Sequence, residues 1–378
     1  MSVEDFQIRE LALHVELGEP IESHPLANDD GPLAAGLKRV KNRRMDSMNS
    51  HVGLVEPHNL DLDNRLFSPT ALETYASCPR KYLLGRVLRV SEQERPEQIA
   101  EISPRDRGSL LHRIVERFVG EAIAGRTLPA PDEPWTPNQE DRLFEIMAEE
   151  VRRVQRLGQS GGEVQTRISL RSLRAELYRF INSDNEHRAL YGCTPVAVEL
   201  EFGFDDVDTV FELTDESKIR LRGSVDRLDM TADGGIIVID YKTGSSRGFG
   251  KIEANPLDEG RRLQLPIYGS VMADRFNVAG EKLAMYWMTR EAKQIKLRLT
   301  NDVEEQLEST VGYLLNGISN GYFPAIPGDV VGYPRVTFEN CTFCEFDRIC
   351  PRDRQREWST INIDQLSLRD LVKSRCND

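Results

Sequence analysis

Two short stretches of this 378-residue chain carry carboxylates and a lysine at spacings that could do chemistry. One is Gly223-Ser224-Val225-Asp226-Arg227-Leu228-Asp229, and the other is Ile237-Val238-Ile239-Asp240-Tyr241-Lys242-Thr243-Gly244. A turn cluster, Thr231-Ala232-Asp233-Gly234-Gly235, separates them. Asp226 and Asp240 each lie seven residues from Asp233. A hairpin centred there sets the two aspartates opposite one another on one face. Asp240 and Lys242 are two apart, so they share that face of their strand. Charges facing a core are costly unless they are paired or bind something. Two close carboxylates repel, and a hard divalent cation such as Mg²⁺ or Mn²⁺ relieves the repulsion. The chemistry that suits such a set is metal-dependent hydrolysis of a phosphodiester. The cation lowers the pKa of a bound water and neutralises phosphate charge, while Lys242 positions or deprotonates that water. A salt-bridged hairpin ending in an Asp-Lys pair would carry the same residues, so spacing alone leaves both readings open.

Cysteines form a second constellation. Cys341-Thr342-Phe343-Cys344 and Cys350-Pro351 put three thiols within ten residues, and Cys78 in Ala76-Ser77-Cys78-Pro79 offers a fourth. Met1 to Glu10 shows no apolar leader, which points to a cytoplasmic chain, where crowded cysteines favour metal ligation over disulfides. Zinc and a [4Fe–4S] cluster need the same four ligands, and spacing does not separate them. Cys193 and Cys376 are left over, as a free buried thiol and a tail thiol.

These motifs resemble the PD-(D/E)xK nuclease superfamily and, within it, the RecB-like nucleases, including the nuclease domains of RecB and AddB. The family pattern G-x-x-D-R-x-D … D-Y-K-T-G is met by Gly223 to Asp229 and Asp240 to Gly244. Relatives place a glutamine and a tyrosine one helical turn apart after the lysine, and Gln264-Leu265-Pro266-Ile267-Tyr268 matches. They also place a histidine on a helix in a G-x-x-x-H context, and Gly108-Ser109-Leu110-Leu111-His112 fits. The resemblance implies that His112, Asp226, Asp240 and the Tyr241 carbonyl hold the metal. It implies that Lys242 serves the water and that Gln264 and Tyr268 position the substrate strand. Glu199 or Glu201 falls where relatives keep an acidic residue on the first strand, and strand alternation does not choose between them. AddB-type nucleases and those of CRISPR adaptation place one cysteine before the nuclease core and three after it. By that resemblance Cys78, Cys341, Cys344 and Cys350 hold a [4Fe–4S] cluster. The run Gly321 to Pro327 is similar to the family's segment before the cysteines.

The resemblance spans roughly Ser68 to Arg354. It implies a metal-dependent DNA nuclease, an exonuclease of the RecB/AddB type, that acts in end processing or recombinational repair with a helicase partner. A CRISPR-adaptation exonuclease and a non-catalytic iron–sulfur DNA-binding module are the alternatives. The stretch Gly244 to Lys251 is not a phosphate-binding loop: it has one residue too many between its outer glycines, and Ile252 stands where Ser or Thr is required. Unwinding is therefore expected from a partner, if it is needed. Arg247, Lys251, Arg261 and Arg262 are candidates for phosphate contacts, or equally for solvated charge.

The elements that must position these residues follow from periodicity. Lys and Arg number 49 against 62 Asp and Glu, a net charge of −13, which argues against coating nucleic acid by bulk charge. Hydrophobic residues make up 39%, enough for a core. The longest purely aliphatic run is Ile236 to Ile239, far short of the ~20 apolar residues of a membrane span. Residues 1–66 show no sustained period and are expected to be an irregular linker, with a basic knot from Lys38 to Arg44. Helices are expected from Ser68 with a break at Cys78-Pro79, and over Asp106–Ile123, Gln139–Leu157, Ser172–Asn182, Leu263–Ala273 and Val303–Ile318. Strands are expected at Pro195–Phe204, Lys218–Leu228, Ile236–Lys242, Leu283–Met288 and Gln294–Leu299. The expected fold is α/β, a restriction-endonuclease-like PD-(D/E)xK core with a mixed central sheet flanked by helices. A mainly helical part (67–190) precedes the core (191–330). A cysteine segment (331–358) that holds the cluster and a tail (359–378) follow it.

Overall fold

The structure, a computed structural model, describes residues 3–28, 31–56, 65–91, 102–157, 163–204, 209–212, 218–249, 252, 254–332 and 337–362. Along the chain come helices α1 (Val3–Glu16), α2 (Pro25–Asn28) and α3 (Pro32–Arg43), then strand β1 (Leu66–Phe67) and helices α4 (Pro69–Ser77), α5 (Pro79–Tyr82), α6 (Pro104–Ala124), α7 (Pro137–Arg156) and α8 (Glu163–Tyr191). Strands β2 (Cys193–Phe202), β3 (Thr209–Glu212), β4 (Lys218–Leu221), β5 (Gly223–Thr231) and β6 (Ile236–Lys242) follow. Helix α9 (Gln264–Arg275), β7 (Lys282–Met288), β8 (Lys293–Arg298), α10 (Asn301–Ser319), β9 (Val330–Val331), β10 (Thr337–Phe338) and α11 (Arg354–Thr360) complete the order. The fold is mixed α/β. No helix among the described residues is long and apolar enough to cross a membrane.

The chain divides into two compact units, one built from residues 1–61, 77–90 and 315–373, the other from 62–76, 91–314 and 374–378. The larger unit is organised on a five-stranded sheet of order β2-β5-β6-β7-β8. Strands β2, β5 and β6 run antiparallel, β6 and β7 pair in parallel, and β8 returns antiparallel. The parallel step is a β6-α9-β7 crossover, the connection such a pair requires.

Alternation along β6 and β7 sends Ile237, Ile239, Tyr241, Leu283, Met285 and Trp287 to one face, where they join the apolar stripes of α6, α7 and α8 in a single core. The two leading helices start where their caps dictate. Ser103 accepts the Asp106 N–H ahead of α6 at 3.0 Å, and Thr136 and Gln139 form a capping box ahead of α7. Helix α9 packs on the other face of β6 and β7.

Two expectations are corrected in this unit. The expected strand 218–228 is two strands. Strand β4 pairs with β3 and β1 in a separate three-stranded sheet, and β5 begins afresh at Gly223. Period-two alternation runs across both, so it carries no sign of the change of sheet. The helix expected over 172–182 spans 163–191, because polar and ionic residues on its last turns are buried rather than apolar ones.

Those polar residues form the tightest interaction in the unit. Arg227 and Asp229, both 0% exposed, face the helical layer from β5. Arg227 donates to both Asp229 oxygens at 2.6 and 2.8 Å, to Asp184 of α8, and to the Tyr241 hydroxyl at 3.4 Å. Asp184 also accepts from Trp135 Nε1 at 2.7 Å and Arg188 Nε at 3.0 Å. His187 Nε2 lies 3.1 Å from Asp229, and Cys193, a free buried thiol, donates to the same oxygen at 3.5 Å.

The smaller unit corrects the expectation of an irregular segment over residues 1–66, which carries α1, α2 and α3. Phe6, Ile8 and Leu13 of α1 are exposed, so no buried face imposes a period on the sequence. Most of the basic knot lies on α3, and Arg43 pairs with Glu357 at 3.3 Å. Leu54 bridges Tyr322, and Phe323 N donates to the Gly53 carbonyl at 2.8 Å. A Cβ on Gly53 would lie 2.1 Å from the Phe323 carbonyl oxygen, so this approach requires glycine. Tyr82 stacks on Phe323 with centroids 6.3 Å apart.

Removing one partner of a fully buried ion pair strands the other charge. Asp229→Asn is therefore expected to destabilise the larger unit by about 3–5 kcal/mol. Urea unfolding followed by Trp135 and Trp287 fluorescence checks it, and an unchanged midpoint would refute it. Burial opposes the Asp229 carboxylate, yet Arg227 and His187 overcome this and hold its pKa down to about 2. With a depressed pKa, the contribution is complete above about pH 4 and disappears as the pH falls toward 2.

Candidate active site

The β5–β6 ladder ends early. It pairs Arg227 with Ile239, Leu228 with Val238, Asp229 with Ile237 and Met230 with Ile236. One further step of that register would set Asp226 opposite Asp240, as the sequence spacing anticipated. Instead of continuing the ladder, the Asp226 carboxylate accepts the Tyr241 N–H at 2.7 Å. Residues 223–225 of β5 stay paired with β2. The sheet thus forks at Asp226 and Asp240, and the candidate residues gather at the fork.

His112, on α6, enters from the helical face. Its Nε2 lies 2.8 Å from the Tyr241 carbonyl and its Nδ1 lies 3.4 Å from Asp226 Oδ2. Burial disfavours the charged ring, but the Asp226 hydrogen bond and charge, helped by Asp240, raise its pKa to about 9. On the opposite face Asp240, 2% exposed, sits 2.7 Å from Lys242 Nζ. Burial raises the Asp240 pKa to about 6 against the pull of Lys242, with the Asp226 charge adding to the rise. Burial also disfavours the Lys242 ammonium, but Asp240 outweighs it and the pKa is raised. Lys242 Nζ further donates to Gln264 Oε1 at 2.9 Å, and Gln264 Nε2 donates to the Tyr268 hydroxyl at 3.4 Å.

The structure chooses between the two strand glutamates. Glu199 lies with His112 and Asp226, their donor atoms all within 4.8 Å of one another, whereas Glu201 is exposed. Glu199 has φ +44°, left-handed backbone in mid-strand, and accepts from Ser224 Oγ at 2.8 Å. Such strain in a non-glycine residue persists only where the surroundings hold it. A second convergent set, His187, Cys193 and Asp229, could also hold a metal ion by composition. There, however, the Arg227 guanidinium already occupies both Asp229 oxygens.

Two residues escaped sequence reasoning. Glu73 of α4 accepts the Leu263 and Gln264 N–H groups through Oε1 at 2.7 and 2.9 Å, and so caps α9, whose N-cap side chain makes no cap bond. A lone Glu a few residues ahead of Cys78 gives no sign of a partner some 190 residues away. The other is Gly223, which the motif contains but whose packing role it does not reveal. A Cβ there would lie 2.7 Å from Phe202 and 2.8 Å from Tyr268, so the glycine admits the tyrosine ring.

The candidate phosphate contacts divide. Arg247 is exposed. Arg261 pairs with Asp258 and Glu259 at 2.8 and 3.1 Å. Arg262 pairs with Asp258 at 3.1 Å and lies over the Phe249 ring at 4.4 Å. Lys251 lies outside the described residues. In the smaller unit Cys78, Cys341, Cys344 and Cys350 are free thiols that line one cavity together with Lys81 and Arg354. Burial, with the other thiols adding, raises the pKa of Cys350 to about 11. Cys376 is also outside the described residues.

Comparison with known proteins gives three results. The chain matches the profile of the PD-(D/E)XK nuclease superfamily over residues 66–351. It is similar to an ATP-dependent helicase/deoxyribonuclease subunit from Acetivibrio thermocellus, 30% identical over 47% of this chain and 15% of that one. The proteins of the same name from Symbiobacterium thermophilum and Carboxydothermus hydrogenoformans are 32% and 28% identical, over 48% and 59% of this chain and 16% and 20% of theirs. The chain thus spans a fifth or less of the length of these relatives. The crystal structure of SSO0001 aligns over 72% of this chain and 94% of that one at 14% identity with a TM-score of 0.27, and no argument rests on it.

Removing the Glu73 carboxylate leaves two backbone donors at the start of α9 without their acceptor. Glu73→Ala is expected to cost about 1–3 kcal/mol of stability, and Glu73→Gln, which still accepts, less than half of that. Urea midpoints of the two variants check this. Equal losses would show that the charge, not the acceptor, is what matters.

Proposed function

The chain belongs to the PD-(D/E)XK nuclease superfamily, and from that premise we propose that it is a Mg²⁺- or Mn²⁺-dependent DNA exonuclease centred on the fork between β5 and β6. The observation that carries the reading is the convergence of Asp226, Asp240, His112 and the Tyr241 carbonyl beside Lys242. The donor set fits a hard cation. Asp240 Oδ2 is buried and, apart from its ion pair with Lys242, has no partner in hydrogen-bond geometry. His112, Asp226 and Glu199 bring three donor atoms together. The proposed ligands are His112, Asp226, Asp240 and the Tyr241 carbonyl, with Glu199 added. When bound, the cation supplies activation of water and neutralisation of charge on the phosphate.

The protein's own groups then have separable tasks. Lys242, held between Asp240 and Gln264, keeps its proton on Nζ and directs it toward the attacking water and a phosphate oxygen. Tyr268, whose pKa is raised by burial, remains a hydroxyl donor beside Gln264, and the two orient the substrate strand. A helicase partner is part of the proposal, since the similar proteins are named helicase/deoxyribonuclease subunits and this chain matches only a fraction of them. Its setting would be DNA end processing or recombinational repair.

The four cysteines of the smaller unit are proposed to hold a structural [4Fe–4S] cluster. The four thiols line one cavity, which supplies the four-cysteine ligand set that such a cluster takes. Tetrahedral zinc would use the same four ligands, and metal analysis separates the two.

Asp240→Ala is expected to lower Mg²⁺-dependent DNA cleavage about 1000-fold, near 4 kcal/mol of barrier. Lys242→Ala should lose cleavage while keeping DNA affinity. Digestion and anisotropy assays check both, and wild-type cleavage by Asp240→Ala would sink the assignment. Protein purified without oxygen should carry about four irons per chain. Cys78→Ser should lose them and become protease-sensitive, whereas one zinc and no iron would overturn the cluster.

A further inference from the structure

The helical layer of the larger unit carries many arginines, and several are neutralised in place. Arg113 and Arg117 of α6 and Arg142 and Arg153 of α7 all pair with Glu121, Glu145, Glu149 or Glu150. One surface combines arginines that lack such partners with a groove. Between the second half of α7 and the first half of α8 lies a groove of about 410 Å³. Met147, Val151 and Leu170 form its floor, and Arg152, Arg171 and Arg174 stand along it. All three arginines are exposed. Among the described residues Arg152 and Arg171 have no carboxylate partner, and Arg174 lies over the Phe144 ring at 4.7 Å. In a chain of net charge −13 this is a local concentration of uncompensated positive charge.

Hydrogen bonds tie α8 to the fork through residues that do not themselves line the groove. Arg107, five residues before His112 on α6, donates to Ser172 and Glu176 of α8 at 3.5 and 2.5 Å. Glu176 also accepts from the Thr289 hydroxyl at 2.5 Å, and Thr289 N donates to the Lys242 carbonyl at 3.0 Å. The turns of α8 that line the groove are therefore contiguous with those held against the active-site strand.

We propose that this groove binds single-stranded DNA extending from the scissile phosphodiester, with Arg152 and Arg171 on its phosphates. The inference rests on the nuclease reading above. Charge complementarity selects a polyanion, and a channel between two neighbouring helices admits one strand rather than a duplex. A positively charged groove that tracks the phosphates is how proteins hold single strands without sequence preference.

The test is fluorescence anisotropy of labelled oligo-dT of about 6 and about 30 nucleotides, lengths chosen to bracket one binding site. It uses the full chain without added divalent metal, over a salt series. Arg152→Gln/Arg171→Gln is compared with wild type and with Arg152→Lys/Arg171→Lys. The Gln pair should bind the long strand about 10-fold more weakly, and its log affinity against log salt should be shallower by about 1.4, from roughly 0.7 per lost phosphate contact. The Lys pair should restore most of that slope, binding of the short strand should not change, and neither should its cleavage once Mg²⁺ is added. An unaltered long-strand affinity and slope in the Gln pair overturns the proposal. So does a poly-glutamate peptide that binds wild type but not the Gln pair while DNA binding is equal, since the groove would then fit an acidic protein segment. If wild type fails to cleave with Mg²⁺ yet the Gln pair still loses long-strand binding, the groove stands and the catalytic reading falls.

Discussion

Arg227 is the constraint on which the larger unit depends. A guanidinium with no solvent exposure cannot be left unpaired, and its carboxylate partners, Asp184 and Asp229, come from α8 and from its own strand. The pairing fastens β5 to the helical layer at one point of its pleat. Because side chains alternate, the residue before it must point the other way, and that residue is Asp226. The buried network therefore decides which face of β5 presents a carboxylate. It also fixes where β5 stops following β6, since the ladder ends with the Arg227–Ile239 pair.

The fork then concentrates charge. Asp226 takes the Tyr241 N–H that a continuing strand would have taken, which frees the Tyr241 carbonyl side for His112. Asp240 and Lys242 lie on the opposite face, under α9, which Glu73 caps. Against the opposition of burial, the Asp226 and Asp240 carboxylates raise the pKa of His112, whereas that of Asp240 is raised first by burial, with the Asp226 charge adding. Left as protein alone, the cluster settles its excess negative charge by holding protons. A divalent cation would settle it differently, which is why the arrangement supports the metal reading better than a plain salt-bridged hairpin does.

Much of this was legible in the sequence where local periodicity carries the information. The equal distance of Asp226 and Asp240 from Asp233 anticipated the hairpin register, and the aliphatic run before Asp240 marked a strand buried on both faces. Legibility fails where the partner is remote or the signal is not apolar. Alternation could not separate Glu199 from Glu201, because the choice is made by a left-handed backbone at Glu199, not by parity. Glu73 and Gln264 are coupled only through the fold. The last turns of α8 are buried by Asp184, His187 and Arg188, residues that a hydrophobic pattern counts as surface. In the motif Asp226-Arg227-Leu228-Asp229, the sequence shows three charged residues of equal standing. Only the pleat divides them into one that faces the fork and two that hold the strand.

The discontinuity of the smaller unit bears on how the molecule is made. Its cysteine cavity joins Cys78 to Cys341, Cys344 and Cys350, while all but the last few residues of the larger unit have been specified by position 314. A ribosome that delivers the chain from its N-terminus releases nearly the whole sheet and its helices before the second cysteine of the cavity exists. Contacts of such separation form late and slowly. Throughout that interval Cys78 waits as a lone thiol on a helix break, so any inorganic group held by all four thiols must be completed after Cys350 has been made, when the residues of the sheet are already available to pair.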